Sequence, residues 1–217
     1  MGHRAVFCLL FESQAYSQVV SLLKQKALIL KKTLYQESDL ILKVLTGEGE
    51  KLDVMAKGAL RSKKRFGGGV LEPLNYVELT FAPNKNQNNH WRHLNEATLI
   101  YDYSLVRTDY DRIKLALYFL KVITKIELES GSSYVFDLLL HALRAVEKVE
   151  QLAILKCQFE VKLLYRQGVL LIDSDLEPFL KTSLYDSQQL MKYNVQDMVR
   201  RASYEMENYF EQLLELS

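Results

Sequence analysis

The hydrophobic pattern of this chain changes period once, near Asn95, and that change limits what the chain can build. Before it, apolar residues recur at every second position; after it, they recur at helical spacing. Leu40, Leu42 and Val44 alternate with Ile41, Lys43 and Leu45. The turn Gly47-Glu48-Gly49-Glu50 follows, and then Leu52, Val54 and Ala56 alternate with Lys51, Asp53 and Lys57. Two alternating runs around a glycine-bearing turn predict a hairpin. Residues 27–30 read as a strand before it, and Val77, Leu79 and Phe81, opposed to Tyr76, Glu78 and Thr80, as a strand after it. With 91–94 closing the set, five short strands predict a small barrel, whose closure removes exposed edges.

Beyond Asn95 the reading is helical. Thr108-x-x-Asp111 has the form of a capping box, and the helix behind it is apolar almost all round, which predicts a central, buried position. Gly131-Ser132-Ser133 breaks it, residues 134–149 and 150–167 form two more helices, and Gly168 stops the last of these. Residues 169–185 read as irregular. Asn194 opens a final helix with the stripe Val195, Met198, Val199, Ala202, Met206, Tyr209, Phe210, Leu213 and Leu214. The expected class is α+β: an extension over 1–24, helical from residue 5, a β-barrel over 25–95 and a helical bundle over 96–217. Arg4 and the apolar run 5–11 are too short, and lack a small-x-small cleavage site, for a secretory leader. No run reaches the length of a membrane span.

Charge is distributed unevenly. Residues 24–66 carry a net +6 and the remainder −5, within a total of +1. That split points to an anionic ligand for the front and protein contacts for the rest. Lys57, Arg61, Lys63, Lys64 and Arg65 fall within nine positions, bracketed by Gly58 and by Gly67-Gly68-Gly69, directly after a strand. A basic, glycine-flanked loop of this kind suits a phosphate chain, with Lys31, Lys32 and Lys43 adding to it if the barrel brings them to the same side. The competing reading is a solvated cationic surface. Tyr35, Phe66, Tyr76 and Trp91 are the aromatic candidates for base stacking; Phe66 and Tyr76 are evenly divided between stacking and core packing, whereas Tyr35 and Trp91 read as core.

Other chemistry is excluded by what the residues lack. Cys8 and Cys157 stand far apart in apolar runs, which rules out a disulfide framework and fits a reducing cytoplasm. His90-x-x-His93 would place its rings on opposite faces of a strand, so it reads as two unrelated histidines rather than a metal pair. Glu37-Ser38-Asp39 has no His or Cys partner and reads as a turn. The glycine run lacks the Lys-Ser/Thr of a phosphate-binding P-loop. With no nucleophile and base in evident partnership, the chain does not read as an enzyme.

One ordered set of residues resembles a known family. Tyr35-Gln36-Glu37-Ser38-Asp39-Leu40, Thr46-x-x-Gly49, Ala56-Lys57-Gly58-Ala59, Arg61-Ser62-Lys63-Lys64-Arg65-Phe66-Gly67-Gly68 and Leu71-Glu72-Pro73 are similar to the N-terminal part of the RecO family of recombination mediators. Ala116-Leu117-Tyr118, Phe136-x-x-Leu139-Leu140 and Phe159-Glu160-x-x-Leu163-Leu164-x-x-x-Gly168 extend the likeness into the helices. The resemblance implies an OB-fold that binds single- and double-stranded DNA. It implies annealing of complementary strands, and work with RecR on strands coated by single-strand-binding protein to load RecA. It also implies a cytoplasmic, nucleoid-associated place. Single-strand-binding protein would be met through its acidic C-terminal tail, for which Arg107, Arg112, Lys121, Lys125, Arg144, Lys148, Lys156 and Lys162 are candidate cations. Many members carry a four-cysteine zinc site after the position of Gly168; this chain has no cysteine there, so neither zinc nor another cofactor is expected. Two alternatives stay open: an adaptor working through its helices, and an OB-fold RNA binder.

Overall fold

In the computed structural model, residues 23–82, 92–128 and 133–215 are described. The alternating segments form β1 (Leu23–Tyr35), β2 (Asp39–Thr46), β3 (Lys51–Ala56), β4 (Tyr76–Phe81) and β5 (Arg92–Tyr101). They close into a barrel in the order β1-β2-β3-β5-β4, antiparallel throughout except for β3 beside β5. A four-residue helix, α1 (Lys63–Phe66), lies between β3 and β4. This is the five-stranded OB-like barrel and α+β class expected from the sequence.

The barrel interior is filled by alternate residues of the strands, with a register shift opposite Thr80 and Phe81 letting β5 change parity between Leu94 and Ala97. Ala27 and Ile29, Leu40, Leu42 and Val44, Val54 and Ala56, Val77, Leu79 and Phe81, and Leu94 and Ala97 make a single core cluster. The opposite parity is not uniformly polar, because the helices cover part of the barrel. Leu28, Leu30 and Leu45 turn outward and join the helical core with Leu74 and Tyr76. A register shift between Ile29 and Lys31 makes this possible. The extra residue lets Leu30 and Lys31 both face outward, and it turns Lys32 to the inner side opposite Leu42. β1 begins at Leu23, so the proposed N-terminal helix, as well as Cys8, lies outside the described residues except for its last two positions, which are strand.

After β5 the chain makes a 3₁₀ turn, Ser104–Thr108, and enters α2 (Tyr110–Lys125). The turn shifts the helix start. Asp109, not Thr108, caps α2 by accepting from the Arg112 N–H at 2.9 Å, while Thr108 Oγ1 donates back to the Leu105 carbonyl. Then come α3 (Ser133–Val146), α4 (Leu152–Arg166), α5 (Glu177–Lys181), a 3₁₀ segment Leu184–Lys192 and α6 (Val195–Glu215). The segment read as irregular therefore holds α5 and the start of that 3₁₀ segment, anchored by buried Leu176, Phe179 and Leu184.

The central helix is α4 rather than α2. α2 keeps a solvent face through Tyr110, Lys114, Leu117 and Lys121, while α4 meets α2, α3, α5 and α6. Phe119 and Phe159 stack between α2 and α4 with ring centres 4.1 Å apart. Cys157 of α4 is buried, and burial pushes its thiol up to about 12, which removes it as a nucleophile near neutrality. Lys51, at the start of β3, ties the barrel to the bundle. Its ammonium donates to the carbonyls of Thr124 and Ile126 at the open C-terminal end of α2. Among the described residues no helix is long and apolar enough to cross a membrane.

Candidate nucleic-acid interface

The basic loop is built on a small hydrogen-bonded frame. Past Ala56 the backbone turns at Gly58, whose φ of 63° lies in the left-handed region. The Gly58 N–H donates to Asp39 Oδ1 at 2.8 Å, and the Leu60 N–H donates to the Ser38 carbonyl at 3.1 Å. These two bonds fasten the loop to the β1–β2 turn. Arg61 and Ser62 both close back on the Gly58 carbonyl, and α1 begins. Phe66 then drops into the barrel end beside Ala59, Val70 and Leu71. Gly67 is required for close approach: a Cβ there would lie 2.2 Å from the Lys63 carbonyl oxygen. Asp39, read from the sequence as part of a turn, thus also reaches a neighbouring loop.

The structure separates the candidate cations into two groups. Lys57, Arg61, Lys63 and Lys64 are exposed on the loop and α1. Arg65 is half-buried and internal to the frame. It donates to Ser62 Oγ at 3.1 Å and to the Lys57 carbonyl at 3.0 Å, with its guanidinium 4.9 Å from the Phe66 ring centre. Lys31 and Lys43 face each other across β1 and β2, on the outer face that also holds Asp53. Lys57 follows β3 four positions after Asp53, about 13 Å along the strand direction. Lys32 stands apart, on the inner side, paired with Glu72 at 2.5 Å.

The aromatic candidates divide as well. Phe66 is only 7% exposed, so it is a plug of the barrel end and offers no face to a base. Tyr76 packs under Phe136 between barrel and bundle, with ring centres 5.9 Å apart. Both leave the set of stacking residues because their rings are already covered. Tyr35, read from the sequence as core, is exposed at the end of β1. Trp91 and His90 lie outside the described residues.

Acids accompany several cations. Lys43 pairs with Asp53 at 2.9 Å, and Arg61 with Glu37 at 3.2 Å, the latter with both side chains largely in water. Such exposed pairs contribute little to stability, but each acid competes with a phosphate for its cation. Glu37→Gln is expected to tighten binding of a single-stranded oligonucleotide about two- to fivefold at low salt, with the melting temperature unchanged, as read by fluorescence anisotropy.

On the helical side many candidate cations are engaged in holding the fold. Arg107 donates to the Pro73 carbonyl at 2.8 Å and to Asn75 Oδ1 at 2.9 Å. Arg112 donates to the Val146 and Val149 carbonyls at the end of α3. Lys162 reaches the Leu180 carbonyl, Lys125 lies over Phe210 and Lys148 over Tyr185. Lys156 differs. With Lys114, Leu115, Tyr118 and Leu152 it lines a cleft of about 470 Å³ between α2 and α4, whose lining also includes Asp111 and Glu150. Among the described residues no three His, Cys, Asp or Glu side chains converge as a metal ion would need.

Comparison with known proteins agrees with this geometry. The family model for the N-terminal part of recombination protein O matches residues 20–103, which contain the barrel and the basic loop. The model for the C-terminal part matches residues 107–172, which end before α5. The DNA repair protein RecO of Maridesulfovibrio salexigens is 32% identical over 147 residues, 67% of this chain and 58% of that protein. Those of Syntrophus aciditrophicus and Bacillus pumilus are 30% and 28% identical, over 67% and 68% of this chain and 55% and 56% of theirs. The matches thus span little more than half the length of these relatives.

Proposed function

Because this chain belongs to the RecO family of DNA repair proteins, we propose that it is a recombination mediator without enzymatic chemistry. It binds single- and double-stranded DNA through the basic loop and anneals complementary strands. With RecR, it helps load RecA on strands coated by single-strand-binding protein, alongside the nucleoid in the cytoplasm. The observation that carries this reading is the placement of Lys57, Arg61, Lys63 and Lys64. All four are exposed on one short segment hung between β3 and β4 of a closed barrel, with Lys31 and Lys43 farther along the outer face, level with Asp53. A row of cations fixed on backbone that is itself hydrogen-bonded can follow a phosphate chain without the cost of ordering that backbone. Neutralising phosphates also removes the repulsion between two strands that must meet.

The cleft between α2 and α4 supports the second part of the reading. An acidic tail with apolar ends would find the Lys114 ammonium beside Leu115, Leu152 and Tyr118, with the Lys156 ammonium already held by Glu160. Asp111 and Glu150 set a limit on its charge at the rim, so apolar contact must carry much of that binding.

The test is an annealing assay with complementary oligonucleotides, run with and without single-strand-binding protein across salt. The expected result is faster annealing in both cases, and single-strand binding with a log–log salt slope of about −3 for four neutralised phosphates. Absence of any oligonucleotide affinity at low salt would defeat the reading. The cleft would then favour an adaptor working through its helices.

A further inference from the structure

The basic loop accounts for phosphates but leaves the bases unattended, and the same frame carries an apolar rim that the cations do not explain. Leu34 is 63% exposed, Leu60 56% and Tyr35 41%. Leu34 and Tyr35 end β1, paired with Leu40 and Asp39, and Leu60 is held by its backbone to Ser38. All three therefore sit on the two fastened segments that also carry Lys57 and Arg61, with Lys63 and Lys64 on the next turn. Gln36, in the left-handed region at φ 55°, sets the bend between Tyr35 and the β1–β2 turn. Leu34 has the inward parity of Leu40 and Tyr35 the outward parity of Asp39, so the rim has apolar surface on both sides of the strand end.

We propose that Leu34, Tyr35 and Leu60 form a base-contacting rim. The unpaired bases of a single strand lie against these side chains while the loop cations hold its phosphates. The inference rests on the nucleic-acid reading above and deepens it, assigning selectivity for unpaired over paired strands to three named residues. Charge complementarity names the occupant: an apolar rim fringed by exposed cations suits a polyanion that carries its own flat apolar faces. A duplex hides those faces inside its stack, so it can use the cations but not the rim. Contact through faces is also indifferent to sequence and leaves the hydrogen-bonding edges of each base clear. A complementary strand can therefore pair with bases still seated on the rim, which is the geometry annealing requires.

The experiment compares an oligonucleotide of about 30 thymidines with an abasic oligonucleotide of equal length, and with a duplex, all at one salt concentration. The wild-type protein is expected to bind thymidines about tenfold more tightly than the abasic strand. The triple variant Leu34→Ser, Tyr35→Ser, Leu60→Ser should bind the two alike, with its duplex affinity and salt slope unchanged. Equal wild-type affinity for both strands overturns the rim, and that measurement needs no variant to fold. A variant that still discriminates, while losing binding to single-strand-binding protein, also overturns it and makes the rim a protein contact. Failure of the wild type to bind any of the three overturns the nucleic-acid reading itself.

Discussion

Reversal of Lys57, Arg61, Lys63 and Lys64 to Glu is expected to lower single-strand affinity at least about 100-fold at low salt and to abolish annealing. Four neutralised phosphates imply that the wild type alone loses about 50-fold between about 50 and 200 mM salt. Removing those contacts takes away the same term at once, and reversed charges add repulsion to it. Arg65 is kept out of this variant on structural grounds. Its bonds to Ser62 and to the Lys57 carbonyl hold the loop together, so reversing it would confound lost charge with a lost frame. All four chosen side chains are exposed, so the melting temperature should stay within a few degrees of the wild type. Annealing at the wild-type rate would remove the loop from the mechanism.

The second large effect concerns stability. Glu160 on α4 is 0% exposed, yet it is fully partnered. Its carboxylate accepts from the Tyr118 hydroxyl of α2, from Lys156 Nζ at 2.7 Å and, through its other oxygen, from Ser203 Oγ of α6 at 3.4 Å. The buried charge therefore joins three helices. Lys156→Met removes the countercharge and leaves a carboxylate in an apolar interior, which should cost about 3 kcal/mol. This is the low end for a broken buried pair, because Tyr118 still donates and Lys156 is partly in water. The measurement is the urea midpoint at constant m-value. Combining Lys156→Met with Glu160→Leu should recover most of the loss, since the unpaired charge goes with its partner. A single variant as stable as the wild type would show that water reaches Glu160.

Much of the barrel was legible because its strands bury one face, and burial on one side imposes a two-residue period. The alternation at Leu40, Leu42 and Val44 is the interior of β2, and that at Val77, Leu79 and Phe81 the interior of β4. Where the pattern blurred, at Leu28, Leu30 and Leu45, the outer face was being covered by helices, and a local period cannot report a distant partner. β5 runs on to Tyr101, past the point where alternation fades: of its ten residues only Leu94 and Ala97 are buried, and the last four are exposed. The centrality of α4 was hidden for a related reason: its buried Gln158 and Glu160 read as polar, and only their bonds to Ser187, Tyr118 and Lys156 make them interior residues.

The candidate site was legible in its charges and not in its geometry. Five clustered cations are visible in one dimension, but the inward turn of Lys32 depends on the extra residue at Leu30. The withdrawal of Phe66 likewise depends on where the barrel ends. Leu34 is hidden because a leucine at a strand end looks like core in any local pattern, and Leu60 because it stands among the cations of the loop. Their one sequence signal is position, since each flanks a polar turn where an exposed side chain is expected to be hydrophilic.

The covering of Leu28, Leu30, Leu45, Leu74 and Tyr76 by helical side chains bears on how the two halves can be handled. A barrel severed after Tyr103 would carry that stripe into water, and a bundle severed before it would lose its floor. Neither half is a portable module. Grafts, fusions and fragment screens that treat the strand-binding part as autonomous start from a surface that the intact chain never displays.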